Sequence, residues 1–266
     1  MARVVMQAVV SVDGYIAYPD DTVGPLFDWY GNGDTEVSAG ASGWTFHISQ
    51  ASADYVQPFW DAIKVTVIGR HLFDTTNGWD GDPAAGDQLV VVTHRPLPEA
   101  WLADHPDAPF HTAGSVEAGI ALARELAGDG LVCVTAGELG GQAFSAGLVD
   151  EIAMDVAPVV LGEGVRFFGS HAGTVLLGDP DQVVRGDRVL HLHYTIQRGP
   201  ALRAGGSRAS LAADRCLLKA GLLRDARERP TTPGSALRYL SSPLGPAQRV
   251  RPSAGLRRRG RGAGHA

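Results

Sequence analysis

The chain has 266 residues, 44% of them apolar, and a formal net charge of −6, enough chain for one large domain or two small ones. The charge is uneven: residues 199–266 hold 14 Lys+Arg against 3 Asp+Glu, and residues 1–198 hold 9 against 26. A body this acidic argues against nucleic-acid binding, where phosphate contacts dominate affinity; no run reaches the ~18 apolar residues of a membrane span, and Cys133 and Cys216 have no metal or redox spacing.

The N-terminus runs straight into a strand pattern with no cleavable signal, so a reducing, cytoplasmic setting is expected. Residues 3–10 read as the first strand. Asp13-Gly14 follows as a turn; Asp13 is a candidate proton donor, or an Asx-turn residue capping its own backbone. The stretch 18–47 is rich in Gly, Asp and aromatics and reads as a lid or binding loop. Within it, Trp44 and Phe46 would stack on a flat substrate ring or else close over the core, and His47 is a further candidate proton donor or simply a solvated loop histidine. A helix is expected over 49–62; it carries Asp54, a second candidate proton donor or an exposed helix acid.

A strand over 64–68 ends abruptly at Gly69, and Arg70 stands where a helix begins. Unpaired N–H groups and a partial positive charge make a helix amino terminus suit a phosphate. The next strand, 88–93, ends at Thr93-His94-Arg95, so a hydroxyl, an imidazole and a guanidinium project past a strand carboxyl end, where open α/β sheets bind ligands. Arg70 and Arg95 are two of nine basic residues in the acidic body. Ending adjacent strands, they would suit the 2′-phosphate of NADPH through forked, charge-assisted hydrogen bonds; the alternative is pairing with surface carboxylates.

A helix over 115–128 starts at Ser115, a good N-cap, and puts Val116, Ile120, Ala123 and Leu126 near one face. A strand over 131–135 then runs through Ala136-Gly137 into a helix over 138–146. This is a second phosphate cradle: Gly137 admits a close backbone approach, and the amides of Glu138, Leu139, Gly140 and Gly141 can donate. Glu138 complements the helix dipole but would repel a phosphate if it pointed inward. The alternative is that the glycines only permit tight helix–sheet packing. Strands over 151–157 and 188–196 complete the body; the last alternates with period two, as a strand with one wet face or an antiparallel edge able to pair across a homodimer. Alternating strands and helices argue for an α/β sheet covered by helices.

Residues 199–266 carry Arg257-Arg258-Arg259-Gly260-Arg261 and scattered Pro and Gly, with one stretch, 211–229, suited to a short helix. They are expected to form a basic low-complexity tail, unable to offset its ordering entropy and separate from the 1–198 domain. It reads either as a tail for nucleic acid or an acidic partner, or as an extension with no selected function.

Four segments carry a resemblance. They are Ser11-Val12-Asp13-Gly14, Val67-Ile68-Gly69-Arg70-His71, Gly147-Leu148-Val149-Asp150-Glu151 with Pro158-Val159-Val160-Leu161-Gly162-Glu163-Gly164, and the closing His191-Leu192-His193-Tyr194. In this order they resemble the dihydrofolate reductase-like superfamily, above all the reductase domain of bifunctional riboflavin-biosynthesis deaminase/reductases. The resemblance implies an α/β domain with a mixed, mostly parallel sheet flanked by helices. It implies NADPH lying across the strand ends at Gly69, Arg70, Thr93, Arg95 and Ala136–Gly140. Hydride transfer to a small conjugated heterocycle, pyrimidine- or pterin-like, is the expected activity; the rival is a catalytically degenerate module that binds a ligand or dimerises. Two positions depart from the family: Ala136 replaces a glycine of the cradle, and Thr135 stands where the riboflavin enzymes carry a substrate-binding glutamate.

Overall fold

The structure is a computed structural model, and residues 2–40 and 43–197 are described; the expected tail, 199–266, lies outside the described residues. In chain order the strands and helices are β1 (Arg3–Ser11), β2 (Tyr15–Ala17), a 3-10 helix (Gly24–Gly31), β3 (Thr35–Ala39), β4 (Trp44–Ile48), α1 (Gln50–Ala62), β5 (Ile63–Gly69), α2 (Arg70–Thr76) and a second short 3-10 turn (Asn77–Gly81). They continue as β6 (Gln88–Val92), α3 (Glu99–Asp104), β7 (Phe110–Ala113), α4 (Val116–Ala127), β8 (Leu131–Thr135), α5 (Glu138–Ser145), β9 (Glu151–Ala157), β10 (Val165–Arg166), β11 (Gln182–Arg185) and β12 (Leu190–Thr195).

Eight strands form one sheet in the order β11-β12-β9-β1-β8-β5-β6-β7. From β9 to β7 all neighbours are parallel, while β12 and β11 are antiparallel additions, so the sheet is mixed and mostly parallel, as expected. The central strands are mostly apolar because both sheet faces are covered. In β1, Val4 and Met6 face α4 and α5, whereas Val5 and Val9 face the side that holds α1. α1 starts where the Ser49 hydroxyl accepts from the Ser52 amide. α4 starts likewise at Ser115, and buries Val116, Ile120 and Ala123.

Two expectations need correction. Residues 18–47 are not a long loop: they form the 3-10 helix and the β3–β4 hairpin, turned at Gly40 and Gly43, whose φ values are +73° and +68°. Their period-two alternation, Thr-Glu-Val-Ser-Ala against Trp-Thr-Phe-His-Ile, is a strand signal that glycine-rich surroundings obscure. Nor is the strand over 190–195 an edge, because β11 pairs with its free side and takes that place.

Candidate functional site

The carboxyl ends of β5, β6 and β8 meet at one rim of the sheet. Gly69 ends β5 in register with Val92 of β6, and a Cβ built on Gly69 would lie 3.9 Å from the Leu139 Cβ of α5. Beside them opens a cleft of about 510 Å³, lined among others by Val92, His94, Ser115, Gln142, Ser145 and His171. Gly69, Thr93, His94 and the amino end of α5, named separately from sequence, thus gather at this rim.

Gly137 precedes α5 with φ +95°, a conformation that favours glycine. Its N–H donates to the Phe167 carbonyl at 2.9 Å, and the Ala136 N–H donates to the Gln7 carbonyl at 3.2 Å. Those two amides are already used. The amides of Glu138, Leu139 and Gly140 stand at the helix amino end, ahead of the bond from the Gly141 N–H to the Gly137 carbonyl. The Glu138 carboxylate does not cover them. It is drawn back along the helix by Gln142 Nε2, at 3.0 Å, and by the Ser170 amide and hydroxyl, at 3.0 and 2.7 Å. These bonds, Gln142 first, hold its carboxyl below the usual range. Gly140 and Gly141 also serve packing: a Cβ on Gly140 would come 2.7 Å from Met6 Sδ, and one on Gly141 would come 2.1 Å from the Phe168 carbonyl oxygen.

The arginine pair is organised by a residue that the sequence did not single out. Arg70 Nε donates to Asp74 Oδ1 at 2.7 Å, and Arg95 Nη2 lies 3.6 Å from Asp74 Oδ2. Arg70 Nη1 also donates to the carbonyls of Arg95 and Pro96, at 3.3 and 2.9 Å, so Arg70 pins the loop that carries Arg95. The Thr93 hydroxyl closes the same loop, donating to the Arg95 carbonyl and accepting from its amide. Arg95 is the open cation, its side chain 72% exposed against 16% for Arg70.

Asp13 braces two loops. Its carboxylate accepts from Ser11 Oγ at 2.6 Å and from the amides of Leu161 and Gly162 at 3.1 and 2.7 Å. The Ser11 hydroxyl foremost, helped by those amides and opposed by desolvation, holds its carboxyl below the ordinary value. A carboxylate so held is an acceptor at neutral pH and a poor proton donor. Asp54 lies on the exposed face of α1, accepts from Gln50 Nε2 at 2.6 Å, and lines a different cleft with Arg3, Leu131 and Glu151, which begin strands β1, β8 and β9. That is the amino rim, opposite Gly69.

Trp44, Phe46 and His47 all sit on the β3–β4 hairpin, where Phe46 packs against the cluster of Val9, Ala157 and Leu161. Phe46 stacks on Tyr30 with ring centroids 4.5 Å apart, His47 lies 3.8 Å from Glu36, and Trp44 is exposed near the hairpin tip, where Gly40 abuts Pro83 and Ala84. Burial pushes the Cys133 thiol up to about 12, so it supplies no thiolate. Sequence reading also passed over two polar clusters. One is the buried Ser52–His191–Asp155 chain; the other is the Ser145–His171 contact of 2.7 Å on the cleft wall. A charged residue within the apolar strand Met154-Asp155-Val156 was the available signal for the first.

Solved structures share this fold at low sequence identity. A putative riboflavin biosynthesis protein from Shewanella sp. PV-4 has this fold at TM-score 0.53 and 18% identity, over 74% of this chain and all of that one. A pyrimidine reductase-like protein from Corynebacterium diphtheriae aligns at TM-score 0.48 and 15% identity, over 74% of this chain and 93% of that one. The RibD protein of Acinetobacter baumannii aligns at TM-score 0.47 and 16% identity over 74% of this chain, which spans 58% of its length. No family model matches the sequence, and no curated protein matches it.

Proposed function

We propose that the chain is an NADPH-dependent reductase that delivers hydride to a small conjugated heterocycle, pyrimidine- or pterin-like. One observation carries the reading: Gly69 and the amino end of α5 adjoin each other at the rim where β6 runs on into Arg95 and into His94, which lines a cleft of about 510 Å³. The residues fit a dinucleotide in a specific way. The amides of Glu138, Leu139 and Gly140 would take the pyrophosphate, Gly69 leaves room beside them, and Arg95 is the cation for a 2′-phosphate. Thr93 and Arg70 would shape the loop that presents Arg95, and Ala136 and Gly137 would set the start of α5.

Bound NADPH supplies the hydride. The chain's part is to hold the reactants in register and keep water out, through positioning worth several kcal/mol of barrier. Asp13 would contribute by fixing the 11–14 turn against the 161–162 loop, and the proton would come from another group or from water. In the same reading the protein works in the cytoplasm as a homodimer, with β11 as the free edge. Among the described residues no helix is long and apolar enough to cross a membrane.

The test is a fluorescence titration with NADPH, followed by NADPH oxidation in the presence of candidate pyrimidines and pteridines. Saturable binding with turnover is expected. Binding without turnover on any such acceptor would favour the ligand-binding module, and no binding at millimolar NADPH would remove the reading.

A further inference from the structure

Asp74 stands between the two arginines of the rim, with one carboxylate oxygen 2.7 Å from Arg70 Nε and the other 3.6 Å from Arg95 Nη2. We propose that Asp74 is the resident anion of this pair and sets the chain's preference between 2′-phosphorylated and unphosphorylated adenine dinucleotides. The inference rests on the reading of the rim as a dinucleotide site.

A 2′-phosphate is a monoester dianion in large part at neutral pH, and it seeks the same forked donors that Asp74 already occupies. To bind, it must displace the Asp74 carboxylate from Arg95 and then remain beside that negative charge. The cluster of Arg70, Arg95 and Asp74 offers a net charge of +1, where the two arginines alone would offer +2. Asp74 therefore lowers the advantage of NADPH over NADH.

The opposite effect, loss of preorganisation when Asp74 is removed, is small for two reasons. Arg70 keeps its place without Asp74, because its Nη1 donates to the Arg95 and Pro96 carbonyls. The Arg95 contact is long and its side chain is 72% exposed, and exposed pairs of that kind contribute little. Repulsion of the phosphate outweighs both.

The experiment uses the full chain and four probes: 2′,5′-ADP, 5′-AMP, NADPH and NADH. Asp74→Asn is expected to tighten 2′,5′-ADP and NADPH by about tenfold, a size set by one charge removed at the protein surface, and to leave 5′-AMP and NADH unchanged. Adding Arg95→Ala to Asp74→Asn abolishes the gain. Asp74→Ser, read in the same way, covers a failure of the first variant to fold. If 2′,5′-ADP and NADPH bind both folded variants no more tightly than the parent, the inference is overturned while the dinucleotide site stands. If none of the four probes binds the parent, both fall.

Discussion

His191 and Asp155 meet across β12 and β9 in the sheet interior, with Nδ1 2.6 Å from Oδ1 and both residues buried. The register pairs them directly, and Gln7 Nε2 donates to the second Asp155 oxygen at 2.9 Å. On its other side, His191 Nε2 lies 2.9 Å from Ser52 Oγ in α1. The geometry is that of a hydrolytic triad, yet the serine is fully buried and no substrate can reach it. The chain of bonds ties α1 to the antiparallel strands. Removing one partner of such a buried pair costs about 3–5 kcal/mol. His191→Ala is therefore expected to lower the free energy of unfolding by that amount, read by urea denaturation. A loss under 1 kcal/mol would mean that the pair is not what fastens α1.

Gly141 and Gly69 make opposite predictions. A methyl at Gly141 would run into the Phe168 carbonyl, a backbone atom that cannot swing away. Gly141→Ala is expected to destabilise by about 1–3 kcal/mol through overpacking. At Gly69 the nearest atom is at 3.9 Å, so Gly69→Ala should leave the melting temperature unchanged and weaken NADPH by intruding on the rim. Thermal melts of both variants and a titration of the second give the answer; equal melting losses would erase the distinction between a packing glycine and a site glycine.

How far the sequence could be read follows from where each signal lives. Leu89 to Val92 and Leu131 to Val134 are continuous apolar runs, and Val4 to Val10 is broken only by Gln7, so the parallel core was legible. β7 and β11 are four residues each, too short to show a period. The gathering of Gly69, His94 and Leu139 was legible because sheet topology alone sends those ends to one rim. Which arginine is free was not: Asp74 is one of many acids in the body, and its contact with Arg70 and Arg95 exists only once α2 and the 93–96 loop are folded together. The His191–Asp155 pair likewise depends on strand register.

Asp13 gives a prediction in pH. Its folded pKa lies below the ordinary 3.8, chiefly through the Ser11 hydroxyl, so the bracing it provides is present above that value and is lost as pH falls through the lower folded one. Between about pH 5 and 8 Asp13 should not titrate, and any inflection in kcat/KM there belongs to another group. The amides of Leu161 and Gly162 should exchange slowly across that range and faster in Asp13→Asn. Exchange already fast in the parent would deny Asp13 its hold on the loop.

Arg70 and Arg95 are expected to fail differently when each is replaced by alanine. Arg70 is three-quarters or more covered and holds two carbonyls of the 93–96 loop together with Asp74, so Arg70→Ala should lower stability and loosen that loop. The Arg95 side chain is open and has only the long Asp74 contact, so Arg95→Ala should leave the melting temperature within experimental scatter. Its effect should fall on the ligand. A hydrogen bond to a charged group is worth on the order of 1.5–3 kcal/mol, so loss of the Arg95 fork should weaken NADPH by tenfold or more and leave NADH nearly unchanged. Parallel titrations of the two nucleotides decide it: equal losses for NADPH and NADH would take the 2′-phosphate away from Arg95, and with it the physical reason for preferring the phosphorylated nucleotide at this rim.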